Sequence, residues 1–502
     1  MFGLNIPGLA SVRPKVDPKD IPPPTPIVFP EPHASDASSE NAGQHDPAGL
    51  VGTLQAVCRP NDITPALFDA ISLRTYYDAD PVDIIPDSSN TPDFACWRQL
   101  SIDEARERNE STRKPLSNGN KSPGCQVYCE RRKELSIPNE DAFHTVRRLP
   151  PKKGKQPPRL GNSYEFFRCL ELMTPYWDDT AATPKSAENA APEAPAEGEA
   201  PVDNKETDDS DSFNRTMAGT ATPAEHRHSL LTAFIKLVAY DFGCNVSTPR
   251  TEPRLHLCAP STPGRSARKS YVPSGCIFVF RTPTKREEAR GGFVEGPVAA
   301  VSARATTAFD IPLEKNQDLA REVLAALVTA QHRAREGKTE KRFGEGEWWT
   351  TKPRWGGGPG GPIGREIDGD DVVGDKDAAS PPSKKPRKTI AAYDNYRMLK
   401  PPSLSWDRKT KYQAIGRVPG AAFDDVFVIS SLYHHVSIIR VRVPKRLLEV
   451  LDGEEDGNRG ELLLWRSKWY DFFVTEDRIE AMELLWGVFA YQMRAEGPKE
   501  GN

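Results

Sequence analysis

The chain has no long apolar run, no dense cysteine framework, no surplus of charge and no catalytic signature, and each lack removes a class of function. The most apolar windows, Leu230 to Phe242 and Val426 to Ile439, are broken by Lys236 and by His434 and His435. A spanning helix needs about 18 apolar residues in a row, so no membrane role is expected. Eight cysteines are scattered over 502 residues, too sparse for a disulfide-stapled secreted domain, and Met1 to Pro14 lacks a basic start and a continuous apolar stretch. An intracellular chain with reduced thiols is expected, in which the sequons at Asn109, Asn214 and Asn245 carry no glycan. Sixty-seven Lys and Arg against 71 Asp and Glu leave a net charge of -4, so no global field draws the protein to nucleic acid or anionic lipid. Any electrostatic function must be local.

Proline and charge are what the chain does have. Nine prolines precede His33, and residues 1–50 read as a solvated, disordered tail. Residues 51–177 read as a helical part with polar loops: Thr64 and Pro65 start one short helix, Ser101 and Glu104 form a capping box, and Phe166, Leu170 and Met173 recur at helical spacing. Between Asp178 and Ser212 stand 11 acidic residues against Lys185 and Lys205, the pattern of a self-repelling linker over 178–221.

Residues 222–355 read as the first half of a folded core. Thr222, Pro223 and Glu225 start a helix whose apolar stripe runs from Leu230 to Phe242. Arg254 to Ala259, Cys276 to Phe280 and Val298 to Arg304 read as strands, and Leu319, Val323, Leu327 and Ala330 restore helical spacing. A Gly-rich, then acidic, then basic insertion follows over 356–392 and is expected to be disordered. The second half of the core spans 393–496. Val426 to Val443 would be about 59 Å long as one strand, so it is split near Ser431 to His435, and Thr475 opens a helix with Ile479, Met482, Trp486, Phe489 and Met493 on one stripe. The expected fold is α+β: a small, mainly antiparallel sheet covered by amphipathic helices, with a long disordered tail and insertions.

Sites are harder to find. Gly356, Gly358 and Gly361 match a dinucleotide fingerprint by spacing only, since Pro359 and Pro362 interrupt it. Cys125, Cys129 and His144, and the set His256, Cys258, Cys244 and Cys276, lack the paired knuckles of a zinc site. His434 and His435 as strand neighbours would point to opposite faces. No catalytic residue, metal or cofactor is therefore assigned, and an enzyme with an active site dispersed along the chain is the least favoured class.

Three features point to binding. Trp348, Trp349 and Trp355, with Lys352 and Arg354, adjoin a glycine run and suit a partner surface. Lys384, Lys385, Arg387 and Lys388 form a compact cluster in a polar stretch, the form an import receptor reads, with Ser380 before Pro381 as an adjoining phosphorylation site. Arg440, Arg442, Lys445 and Arg446 form a third basic group, suited to nucleic acid or to a solvated sheet face. The leading expectation is a nuclear protein-interaction or scaffold protein without catalytic activity; the alternative is a nucleic-acid-binding module built on the basic clusters and indoles.

Overall fold

A single mixed sheet of nine strands organises the computed structural model. The structure describes residues 17–33, 49–57, 62–149, 156–181, 215–246, 253–260, 268–304, 312–340, 349–350, 354–355, 365–366, 411–418, 420–455 and 457–495. The strands are β1 (Leu73–Tyr76), β2 (Cys244–Val246), β3 (Ile277–Arg281), β4 (Phe293–Ala303), β5 (Lys411–Gln413), β6 (Phe423–Leu432), β7 (His435–Pro444), β8 (Leu462–Arg466) and β9 (Tyr470–Asp471). Across the sheet they run β1, β8, β7, β6, β4, β3, β2, with β5 beside β4 and β9 beside β7.

The α+β class holds, but the sheet is neither small nor mainly antiparallel. β1 pairs with β8, and β4 pairs with both β5 and β6, in parallel. The remaining contacts are antiparallel. The reason lies in the helix Pro312–Ala334, which separates β4 from β6 in the chain. A helical crossover returns the chain in the same direction, so the strands it joins are parallel. The run Arg254–Ala259 pairs instead with Arg268–Pro273 as a separate hairpin, held to the crossover helix by Gln331, whose side chain bonds both the N–H and the carbonyl of His256 at 2.9 Å.

Helices cover both faces. Cys125–Leu135 (α1), Ala224–Ala239 (α2) and Thr475–Gln492 (α4) pack on one face, and the crossover helix Pro312–Ala334 (α3) on the other. Two-sided cover explains why β6, between two sheet neighbours, is buried along nearly its whole length without alternation. The Val426 to Val443 stretch breaks into β6 and β7 where expected, through a two-residue turn at Tyr433 and His434. Residues 17–33, within the stretch read as a solvated tail, lie against this body. Phe29 stacks on Trp469 at 5.1 Å, and Thr25 Oγ1 accepts from the Gly219 N–H at 2.9 Å, because the segment carries apolar side chains among its prolines.

β1, β4, β6 and β8 all run in one direction, and near their carboxyl ends α3 meets the sheet through charges. Glu322, with no solvent exposure, accepts from Arg466 and from Ser430. Asp318 holds Arg304 at 2.9 Å, and Arg321 reaches Ser302 at 2.7 Å and Ser430 at 3.2 Å. The Arg466 guanidinium lies between the rings of Tyr77 and Trp469, each 5.1 Å away. At the opposite end of α3, Arg333 pairs with Asp424 at 2.7 Å and bonds the carbonyls of Ile415 and Pro297. From Glu322 to Arg333 the helix rises about 16 Å; from Ser430 to Asp424 the strand covers about 20 Å. The two fastenings are therefore in register along β6.

Removing one partner of a buried ion pair leaves the other charge uncompensated, at a cost of about 3–5 kcal/mol. Glu322→Ala is expected to destabilise the fold by that amount in urea titrations. Glu322→Leu combined with Arg466→Met should recover a large part of it; equal losses in the single and double variants would show that the pair is not the fastening.

Candidate functional site

On the α4 face of the sheet, four neighbouring strands present an alternating row of rings and guanidinium groups. Phe423 of β6 lies under the Arg442 guanidinium of β7 at 3.9 Å. Arg440, two residues back on the same strand face, sits 4.3 Å from the Trp465 ring of β8. Trp465 in turn stacks on Tyr76 of β1, with centroids 5.5 Å apart and planes at 15°. Asp425 holds both arginines, accepting from Arg440 Nε at 3.0 Å and from Arg442 Nε at 3.1 Å. One carboxylate between two guanidinium groups leaves the row with a single net positive charge. Helix α4 covers this face as far as Gln492, whose amide donates to the Asp425 carbonyl at 3.1 Å. At the rim of the row Tyr76 is 45% exposed and Phe423 38%.

At the hairpin tip between β6 and β7 a different group forms. His434, His435 and Asp471 bring one ligand atom each to within 4.8 Å of one another, the one set of three or more such side chains that could hold a metal ion among the described residues. This corrects the expectation that the two histidines diverge. His434 is the second residue of a tight turn and His435 the first of β7, so strand alternation does not apply to them. Tyr433, the first turn residue, takes φ 54°, a value rare for a bulky side chain. Trp177 packs on its ring at 4.7 Å and Arg227 lies 5.4 Å from it, which holds the turn in place. The Nε2 atoms of His434 and His435 stand 3.9 and 3.7 Å from Asp471. Asp471 is itself oriented by Thr180 Oγ1, which donates at 2.6 Å, and by the Phe473 N–H at 2.9 Å. Burial pushes the His434 imidazole well below its usual range.

A cleft of about 490 Å³ opens between the Asp78 to Pro81 turn and α4. Its cations are already engaged: Arg98 with Glu483, and Lys468 with Asp477 and Glu480. Tyr128 also donates to Glu483, at 2.5 Å, and burial drives its hydroxyl far up. A mutually paired set of this kind locks α4 to the helices before it and does not pick out a nucleophile beside a base.

The residues singled out in the sequence are distributed as follows. Arg440 and Arg442 enter the ring row, while Arg446 bonds Glu449 and Glu454 and Lys445 lies 3.6 Å from Glu449. Trp349 and Arg354 to Trp355 fall in two-residue strands paired with Thr339–Glu340 and Arg365–Glu366. Trp348, Lys352, Ser380, Lys384, Lys385, Arg387 and Lys388 lie outside the described residues. Cys125 donates to the Ala105 carbonyl at 3.2 Å, and Cys129 to that of Trp97 at 3.7 Å. Sequence reasoning assigned none of Tyr76, Phe423, Asp425 and Trp465 to a site. The signal available was the alternation of ring and arginine on strands whose pairing the chain does not reveal.

Near the start of α2, His228 lies close to Arg227 and Arg321. Burial lowers its pKa, and the two guanidinium groups lower it further. A histidine depressed in the folded state contributes stability that is complete above its unfolded value of about 6.5 and is lost as pH falls from there through the folded value. The urea midpoint of the parent should therefore drop more between pH 7.5 and pH 5.5 than that of His228→Asn; equal drops would remove His228 from the acid response.

The chain matches no family model, and comparison with curated proteins and with solved structures yields no match either, so a functional reading rests on the geometry above.

Proposed function

We propose that the protein is a nuclear protein-interaction or scaffold protein whose folded unit binds a partner through the row Tyr76, Trp465, Arg442 and Phe423. The single observation behind this reading is composition combined with placement: tyrosine, tryptophan and arginine, the residues that dominate binding hot spots, stand side by side at the rim of a rigid sheet. Rings pre-stacked on neighbouring strands lose little side-chain freedom on binding. The expected occupant is a peptide segment with apolar or aromatic side chains around one acidic group, matching the one net positive charge left by Asp425. Nucleic acid fits less well. Stacking would be available, but affinity for phosphate needs several uncommitted cations, and both arginines here already share a carboxylate. The Trp348, Trp349 and Trp355 segment is proposed, on its composition, as a second partner contact.

The surface is tested by placing a photo-reactive phenylalanine derivative at position 76, with the same group at the exposed Tyr240 as control. Protein adducts are expected at position 76 only, persisting in high salt, and Arg442→Ala should reduce their yield about tenfold or more. Nuclease-sensitive adducts would favour the nucleic-acid reading, and adducts no stronger than the control would discard the surface.

Nuclear entry is assigned to Lys384, Lys385, Arg387 and Lys388. A fluorescent fusion in which all four are alanine is expected to become cytoplasmic, and Ser380→Asp to shift part of the way by adding negative charge beside the cluster. A quadruple variant as nuclear as its parent would refute the import role.

A further inference from the structure

We infer that His434, His435 and Asp471 form a divalent-metal site, with zinc as the cation its two imidazoles and one carboxylate suit best, fastening the β6–β7 hairpin tip to β9. The first support is convergence: both Nε2 atoms face the same carboxylate, at 3.9 and 3.7 Å. Ligand atoms about 2.0–2.2 Å from a tetrahedral zinc lie roughly 3.4 Å apart; the three here lie within 4.8 Å of one another, so side-chain movements of at most about 1.4 Å close the triangle.

The second support is hydrogen bonding. Neither imidazole makes a hydrogen bond to any described residue: both Nδ1 atoms are buried without a partner, and Nε2 is beyond hydrogen-bond reach of Asp471. Histidines set this deep normally satisfy at least one nitrogen, and two adjacent exceptions aimed at one carboxylate call for an ion between them. His434 is 3% exposed, and a neutral imidazole nitrogen is the form that ligates.

The surroundings complete a metal shell. Thr180 and the Phe473 N–H orient the carboxylate, as outer partners do in zinc sites. Trp177 and Phe473 lie 5.0 Å from the His434 ring and Phe29 lies 5.2 Å from that of His435. Aromatic walls exclude bulk water, and a water molecule supplies the fourth ligand. Deep burial and the bridging of a hairpin tip to the strand beside it argue for a structural ion.

The test uses the full chain, stripped with chelator and reloaded with zinc. One zinc per chain and a higher melting temperature than the stripped form are expected. Cobalt substitution separates this site from the cysteines: nitrogen and oxygen ligation gives ligand-field bands without the intense near-ultraviolet thiolate charge-transfer band. His435→Ala and Asp471→Asn should abolish stoichiometric binding, and Thr180→Val, which leaves all three ligands intact, should weaken it about 10–100-fold. The site is overturned if the parent takes up no zinc, if cobalt shows the thiolate band, or if His435→Ala retains one zinc per chain. A variant that fails to fold leaves the parent's cobalt spectrum and its zinc-dependent melting shift to decide.

Discussion

One carboxylate sets the architecture. Glu322 lies inside the protein, reached by Arg466 and by Ser430 and thus bound to two strands at once. A charge there is tolerable only when its counter-charge and hydrogen bonds are fixed in place, and that condition dictates which strands lie beneath α3 and where they end. Arg321 and Asp318 extend the set to β4 through Ser302 and Arg304. The apolar residues of α3 would pack on a sheet in several registers, as oily surfaces do. The ionic contacts admit one.

The two candidate sites share the β6–β7 hairpin and obtain their geometry in opposite ways. The ring row uses regular pairing: in-register strands place Phe423, Arg442, Trp465 and Tyr76 side by side, and Asp425 fixes the guanidinium planes. The histidine group depends on the place where pairing stops. A tight turn with an unusual backbone at Tyr433 swings His434 out of strand alternation and toward Asp471. Rigid pairing makes a surface and interrupted pairing makes a pocket for an ion, which is why neither could substitute for the other.

How much of this was legible in the sequence follows the range of the interactions. α2, α3 and α4 were found close to their observed bounds because capping and helical spacing are local. β6 and β7 were found because an 18-residue β-rich run is too long for one strand. β1 and β8 went unread: Leu73–Tyr76 is four residues long and gains its place by pairing with Leu462–Trp465. No local pattern announces a partner so distant. The histidine group was dismissed for the same reason, since its third member stands on a strand whose position only the fold determines. Asp425 and Glu322 are two acids among 71, and nothing but burial distinguishes them.

The pairing of β1 with β8 also bears on how the chain is made. β1 has its strand partner, β8, several hundred residues further along the chain, and α4, which covers the sheet, lies later still. The sheet cannot close until the chain has been made through β8. Meanwhile β1 and the crossover strands wait with bare edges, the condition under which nascent chains aggregate. Truncation after β7 would leave β1 without its partner strand and the sheet without that closing pair.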